Sequence, residues 1–180
     1  MKRAKEGDAN DGEVMQCTPL GAGQEVGRSC FYLKFKGKTI MFDCGVHPGD
    51  TGYTSLPMID DEFDVAAVDL LLVTHFHLDH CAALPFLLFK TNFKGRVFMT
   101  HATKNIYYYM LTDFIRVSKA VSDTLFSEQE LKNSMDKIEV VDYHQEWVVD
   151  GVRFKAYHAG HVLGAAMFMV DIAGTKILYT

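Results

Sequence analysis

The sequence predicts an α/β fold. Short apolar strand-like runs recur along the whole chain, helical periodicity appears between them only after residue 75, and the early strands are spaced as hairpins. At 180 residues and 48% hydrophobic content the chain is long enough to bury a core as one unit.

Taken in order, residues 1–13 (MKRAKEGDANDGE) are polar throughout and predict a flexible N-terminus without the apolar region of a signal peptide. No run of eighteen or more apolar residues occurs, so a soluble, non-secreted chain is expected. The first strands are VMQCT from Val14, SCFYLKF from Ser29 and TIMFD from Thr39, with a hairpin turn at Lys36-Gly37. GAGQEVG lies between the first two. Its glycines are spaced GxGxxxG and a strand follows where a dinucleotide site needs a helix, so the loop reads as a tight turn between strands that needs no ligand, although it could still border a site.

DLLLVT from Asp69 is the next strand, and a helix is expected straight after the histidines that end it, with Pro85 in its first turns or at a bend. RVFMT from Arg96 follows, then a helix over 102–119 whose Ile106, Met110, Phe114 and Val117 repeat at helical spacing and predict a core stripe. Ser127-Glu128-Gln129-Glu130 reads as a capping box opening a third helix. IEVV, VRFKAY, AAMFMVDI and KILYT are the remaining strands, the last two joined by an Ala173-Gly174 turn. Nothing after KILYT reads as a stop signal, so the chain is expected to be truncated.

Formal net charge is −5, which excludes broad phosphate neutralisation as a mode of binding nucleic acid. Lys90, Lys94 and Arg96 are a local exception that could meet RNA phosphate, although a solvated loop is the simpler reading. Cys17, Cys30, Cys44 and Cys81 are well separated and follow no zinc-finger spacing, as in a reduced, intracellular compartment.

The chemistry is concentrated in HFHLDH, residues 75–80. Three histidines and an aspartate between apolar runs would be costly beside a core without partners. At the end of an extended strand, residues two apart point the same way, so His75 and His77 can converge on one ion while Asp79 and His80 face a second. Imidazole nitrogen and carboxylate oxygen suit zinc. Further ligands must come from elsewhere, and YHAGHVLGA offers His158 and His161 where Gly160 allows a turn. Spacing scarcely separates the two; His161 is taken as the ligand and His158 as a neighbour. His47, His101 and His144 carry no paired spacing. Asp43, at the end of TIMFD, either orients a liganding imidazole or serves a turn.

The pattern HxHxDH, filled by His75, His77, Asp79 and His80, resembles the signature of the metallo-β-lactamase superfamily. PLGAGQEVGRSC, FDCGVHPG, THFHLDHCAALPF, FMTHATK, SMDKIE and YHAGHVLGAAMF resemble its β-CASP branch, from Met15 to Thr180. Within that branch the HPG, FKGR and SMDKIE segments look more like the endonuclease subunits of the cleavage and polyadenylation specificity factor than like those of the Integrator complex.

The resemblance implies that residues 14–180 are the N-terminal part of an αββα sandwich, before an inserted β-CASP domain. It implies two zinc ions, with His75, His77 and His161 on one and Asp79 and His80 on the other; Asp43 is the aspartate of the family's first motif. It further implies a nuclear endoribonuclease hydrolysing a phosphodiester in pre-mRNA at the 3′-end cleavage site before polyadenylation, with Asp79 also holding or accepting the nucleophile's proton. Other cleavage and polyadenylation factor subunits, a catalytically inactive sister and a symplekin-like scaffold, are the implied partners. The family's aspartate in a GD pair after LYT and its later histidine fall outside these residues, so the segment alone is expected to be inactive. An Integrator-type nuclease, a small-molecule hydrolase of the same superfamily and an inactive scaffold subunit are the alternatives.

Overall fold

The computed structural model describes residues 14–59, 63–120 and 124–180; the flexible segment expected at 1–13 lies outside them. Two sheets stack face to face. The first runs β1(Gln16–Gly21), β2(Cys30–Phe35), β3(Lys38–Phe42), β4(Leu70–Leu72), β5(Arg96–Thr100), β6(Ile138–Val141) in that spatial order. Its first three strands are antiparallel and its last three join β3 in parallel. The second sheet is antiparallel and built from β7(Glu146–Val149), β8(Val152–His158), β9(Ala166–Ile172) and β10(Thr175–Tyr179).

Side-chain alternation along the first sheet divides the core. Leu33, Ile40, Phe42, Leu70, Leu72 and Phe98 face the second sheet, where they meet Val152, Phe154, Phe168 and Val170. Met41, Leu71, Val97 and Met99 face the other way, onto the helices. Those helices are α1(Leu78–Cys81), α2(Leu84–Lys90), α3(His101–Ala120) and α4(Glu128–Lys137). The layers are therefore helix, sheet, sheet. Among the described residues no helix covers the outer face of the second sheet, where Val148 and Leu178 stand exposed.

Several expectations need correcting. The first strand is displaced two residues along the chain, from Gln16 rather than Val14. The helix after the histidines is two helices, α1 and α2, separated at Ala82 and Ala83; Pro85 sits in the first turn of α2, where its missing N–H costs nothing. On α3 the buried stripe is Thr103, Tyr107, Leu111 and Ile115, one position on from the predicted one. Met110 and Phe114 flank it half-buried, and Val117 is 62% exposed. Tyr107 takes the place at the core because its hydroxyl finds Ser134 on α4 at 2.8 Å. Strand β7 has no counterpart in the sequence reading: EWVV is too short to show alternation, and it is held by pairing to β8 across the Asp150-Gly151 turn, both residues at positive φ. The capping box at Ser127 and Glu130 is present as predicted. No helix among the described residues is long and apolar enough to cross a membrane.

Candidate metal centre

The carboxyl ends of the parallel strands β3, β4 and β5 lie side by side, and the polar residues following each converge there. Asp43, directly after β3, takes a positive φ of 58°, a backbone state that aspartate tolerates better than most residues. That turn aims a fully buried carboxylate across the sheet end. It accepts from the Thr74 backbone N–H at 2.7 Å and from the Thr74 hydroxyl at 2.9 and 3.0 Å, and it takes a third donor from His80 Nδ1 at 2.9 Å.

The Thr74 hydroxyl spends its hydrogen on Asp43, so at 2.9 Å it accepts from His75 Nδ1. The His75 lone pair then resides on Nε2. His80 likewise gives its Nδ1 hydrogen to Asp43 and keeps its lone pair on Nε2. One buried carboxylate therefore sets the tautomers of two histidines, one directly and one through a hydroxyl.

Three ring nitrogens meet beside this carboxylate network. His77 Nδ1 lies 3.1 Å from His75 Nε2 and 3.2 Å from His161 Nε2. All three lie within 4.8 Å of one another. Nitrogens at about 2.0–2.1 Å from a shared tetrahedral ion stand about 3.3–3.4 Å apart, close to the two separations made by His77 Nδ1, and three imidazoles are a donor set that suits zinc. Burial, then the neighbouring imidazoles of His80, His77 and His161, push the His75 pKa down to about 3. The ring is thus neutral and able to donate its lone pair at physiological pH. Asp79 and His80 lie beside this group, with Oδ2 and Nε2 3.6 Å apart, and are not part of it. Burial opposes a charge on His80, yet the hydrogen bond and charge of Asp43, with Asp79 adding to them, hold its pKa above the ordinary value.

The turn carrying Asp79 and His80 is pressed onto the strand end. Cys44 N–H donates to His80 O at 2.8 Å, Val46 N–H to Leu78 O at 3.0 Å, and Ser29 N–H to Asp79 O at 2.8 Å. Gly45 makes that approach possible, because a Cβ there would lie 1.8 Å from the Asp79 carbonyl oxygen.

His161 arrives on the loop between β8 and β9, with Gly160 and His161 itself at positive φ. The loop is tied down at Gly164, whose carbonyl accepts from the Thr100 and Thr103 hydroxyls at 2.6 and 3.0 Å. His158 ends β8 and stands apart from the cluster, stacked on Tyr143. His47 faces Asp50, His101 opens α3 and His144 packs edge-on to Tyr157; none joins the cluster. Lys90 and Arg96 are already paired, with Glu130 and Glu139.

Two cavities flank the centre. One of about 240 Å³ is lined by Asp43, His75, His80, His161 and Tyr179. The other, about 470 Å³ and more apolar, lies between Leu78 and Asp79 on one side and Phe114 and Val117 on the other. Sequence reading passed over Thr74, Thr100 and Thr103; the only available signal was a hydroxyl residue next to each strand end.

A sequence profile of the metallo-β-lactamase superfamily domain matches residues 32–180. The chain is 59% identical over its whole length to cleavage and polyadenylation specificity factor subunit 3-I of Arabidopsis thaliana, and spans 26% of that protein. Over 94% of its length it is 58% identical to cleavage and polyadenylation specificity factor 73 of Drosophila melanogaster, spanning 25% of it. Over 89% it is 54% identical to endoribonuclease YSH1 of Saccharomyces cerevisiae, spanning 22% of it. The chain thus spans about a quarter of the length of these curated relatives. Among solved structures, a HARLDQ-motif mutant of a Cronobacter sakazakii metallo-β-lactamase superposes with a TM-score of 0.60 at 22% identity, over 90% of this chain and 58% of that one. At that identity the likeness concerns the fold.

Proposed function

This chain belongs to the metallo-β-lactamase superfamily, and from that premise we propose that it is the zinc-binding part of an endoribonuclease that cuts pre-mRNA at the 3′-end cleavage site. The observation that carries the proposal is the meeting of His75 Nε2, His77 Nδ1 and His161 Nε2 within 4.8 Å, three imidazole nitrogens gathered at one point. The 54–59% identity to relatives named as endoribonuclease or cleavage and polyadenylation specificity factor supports this choice of substrate over the superfamily's other chemistries.

In this reading His75, His77 and His161 hold one zinc ion, Asp79 and His80 contribute to a second, and residues 14–180 are part of one metallo-β-lactamase domain. Zinc, when bound, supplies Lewis-acid stabilisation of phosphate charge and lowers the pKa of an attacking water. The chain's own part is orientation and proton handling. Asp43 fixes His80 by its Nδ1 hydrogen and fixes His75 through Thr74, so neither ring can swing to present the wrong nitrogen. Asp79, 31% exposed at its side chain and beside His80, accepts a proton from the attacking water in this reading. The nuclear setting, pre-mRNA substrate, inactive sister subunit and symplekin-like scaffold belong to the same proposal for the whole protein.

The test is made on the full-length protein. Elemental analysis should find about two zinc equivalents, and cleavage of an RNA carrying a polyadenylation cleavage site should disappear on chelation and in Asp79→Asn. A metal-free protein as purified, or cleavage indifferent to chelator, overturns the reading.

A further inference from the structure

We propose that Tyr143 is a positioning residue for the candidate metal centre, gripping both sides of the neck of the His161 loop, and that His158 is its stacking partner rather than a ligand. The inference rests on the metal-centre reading only for its consequence; the clamp itself is a matter of hydrogen bonds and stacking.

The loop leaves β8 at His158 and enters β9 at Ala166, and its neck closes where Ala159 N–H donates to Ala165 O at 3.2 Å. The same carbonyl accepts from the Tyr143 hydroxyl at 2.9 Å. The Tyr143 ring stacks on His158 with centroids 3.5 Å apart and planes 26° apart. One side chain therefore touches the residue before the neck with its face and the residue after it with its hydroxyl.

Tyr143 is itself fixed from outside the loop. It bridges Ala156 of β8 in parallel register, and the next residue, His144, donates its N–H to Ala156 O at 2.8 Å from a left-handed φ of 66°. Burial raises the Tyr143 pKa, which keeps the phenol protonated and able to donate at neutral pH. Beyond the neck, Ala166 N–H donates to Thr74 O at 2.9 Å. Thr74 is also the residue that orients His75, so the neck and the ligand at the end of β4 share one anchor. His161 is exposed and sits at a positive φ of 60°, and among the described residues it makes one contact of hydrogen-bonding length, with His77. It depends on its loop for its position, and groups supporting a ligand are commonly worth 10–100-fold in metal affinity.

The full-length protein serves for the test. Amide hydrogen exchange is read at Ala159 in the metal-free state, and cobalt(II) affinity and visible spectrum at the centre. Tyr143→Phe, which keeps the ring and removes the hydroxyl, should speed exchange at Ala159 severalfold and weaken cobalt binding about tenfold, with an unchanged fold by circular dichroism. His158→Ala should act in the same direction, and His158→Phe, which restores a stacking ring without a ligand nitrogen, should recover most of the loss. Unchanged exchange in Tyr143→Phe overturns the clamp, as does a His158→Phe protein no better than His158→Ala. Should the wild type fail to bind cobalt, the metal-centre reading falls, while the exchange result still decides the clamp.

Discussion

Replacing Gly45 by alanine tests the packing that sets Asp79 and His80. The added Cβ would lie 1.8 Å from the Asp79 carbonyl oxygen, 1.9 Å from its carbonyl carbon and 2.4 Å from the His80 nitrogen, all backbone atoms that no side-chain rotation can clear. Ordinary contact starts near 3.4 Å, so the α1 backbone must withdraw by about 1.6 Å. Withdrawal strains the bonds from Cys44 N–H to His80 O and from Val46 N–H to Leu78 O. Overpacking of this kind costs about 1–3 kcal/mol. At about 2 kcal/mol the melting temperature should drop by about 4–8 °C for a domain of this size. The second consequence separates this site from any crowded glycine: Asp79 and His80 travel with the backbone, and a shift of about 1 Å at a reacting group can cost about 100-fold in rate. Thermal unfolding of metal-free protein gives the first number, and zinc titration with RNA cleavage gives the second. A Gly45→Ala protein that melts like the wild type and keeps its metal affinity would refute the reasoning. A variant that melts lower yet binds and cleaves normally would show that α1 can move without carrying the ligands.

Asp43→Asn exchanges one acceptor oxygen for an amide group facing donors already committed to it. Stability should fall by about 1–3 kcal/mol and zinc affinity by about 10–100-fold; calorimetry and zinc titration check both, and an unchanged affinity would remove Asp43 from any orienting role. His75 gives a pH dependence of definite sign. Its folded pKa of about 3 lies below the unfolded value of about 6.5, so its contribution to stability is full above about pH 6.5 and is lost as pH falls from there through about 3. Urea midpoints of metal-free protein should therefore drop more between about pH 7 and pH 4 for the wild type than for His75→Gln, and parallel profiles would contradict the burial of that ring. Gly164→Ala combines a left-handed φ of 84° with a Cβ only 2.8 Å from Ala102, Thr100 and Thr103; it should weaken zinc binding by dislodging the His161 loop, measured against a wild-type titration.

Much was legible in sequence because it is local. The short apolar runs in SCFYLKF and TIMFD, the Lys36-Gly37 and Ala173-Gly174 turns, the capping box at Ser127 and the density of HFHLDH depend on neighbours a few residues apart. The grouping of His75 with His77 follows from the same spacing. What tertiary structure decided lies between residues far apart in the chain. His161 was separated from His158 by a loop pinned 61 and 64 residues away on Thr103 and Thr100, information that spacing within YHAGHVLGA does not contain. Asp43 became the hub of two histidine tautomers only when parallel pairing brought the ends of β3 and β4 together, across 31 and 37 residues. The buried stripe of α3 turned by one residue because Tyr107 had a hydroxyl partner on α4, and helical periodicity alone could not weigh that. A sequence fixes the chemistry of its candidate ligands and the pitch of its elements; the orientation of each ring, and which histidine joins His75 and His77, are set by hydrogen bonds that exist only after the sheet has closed.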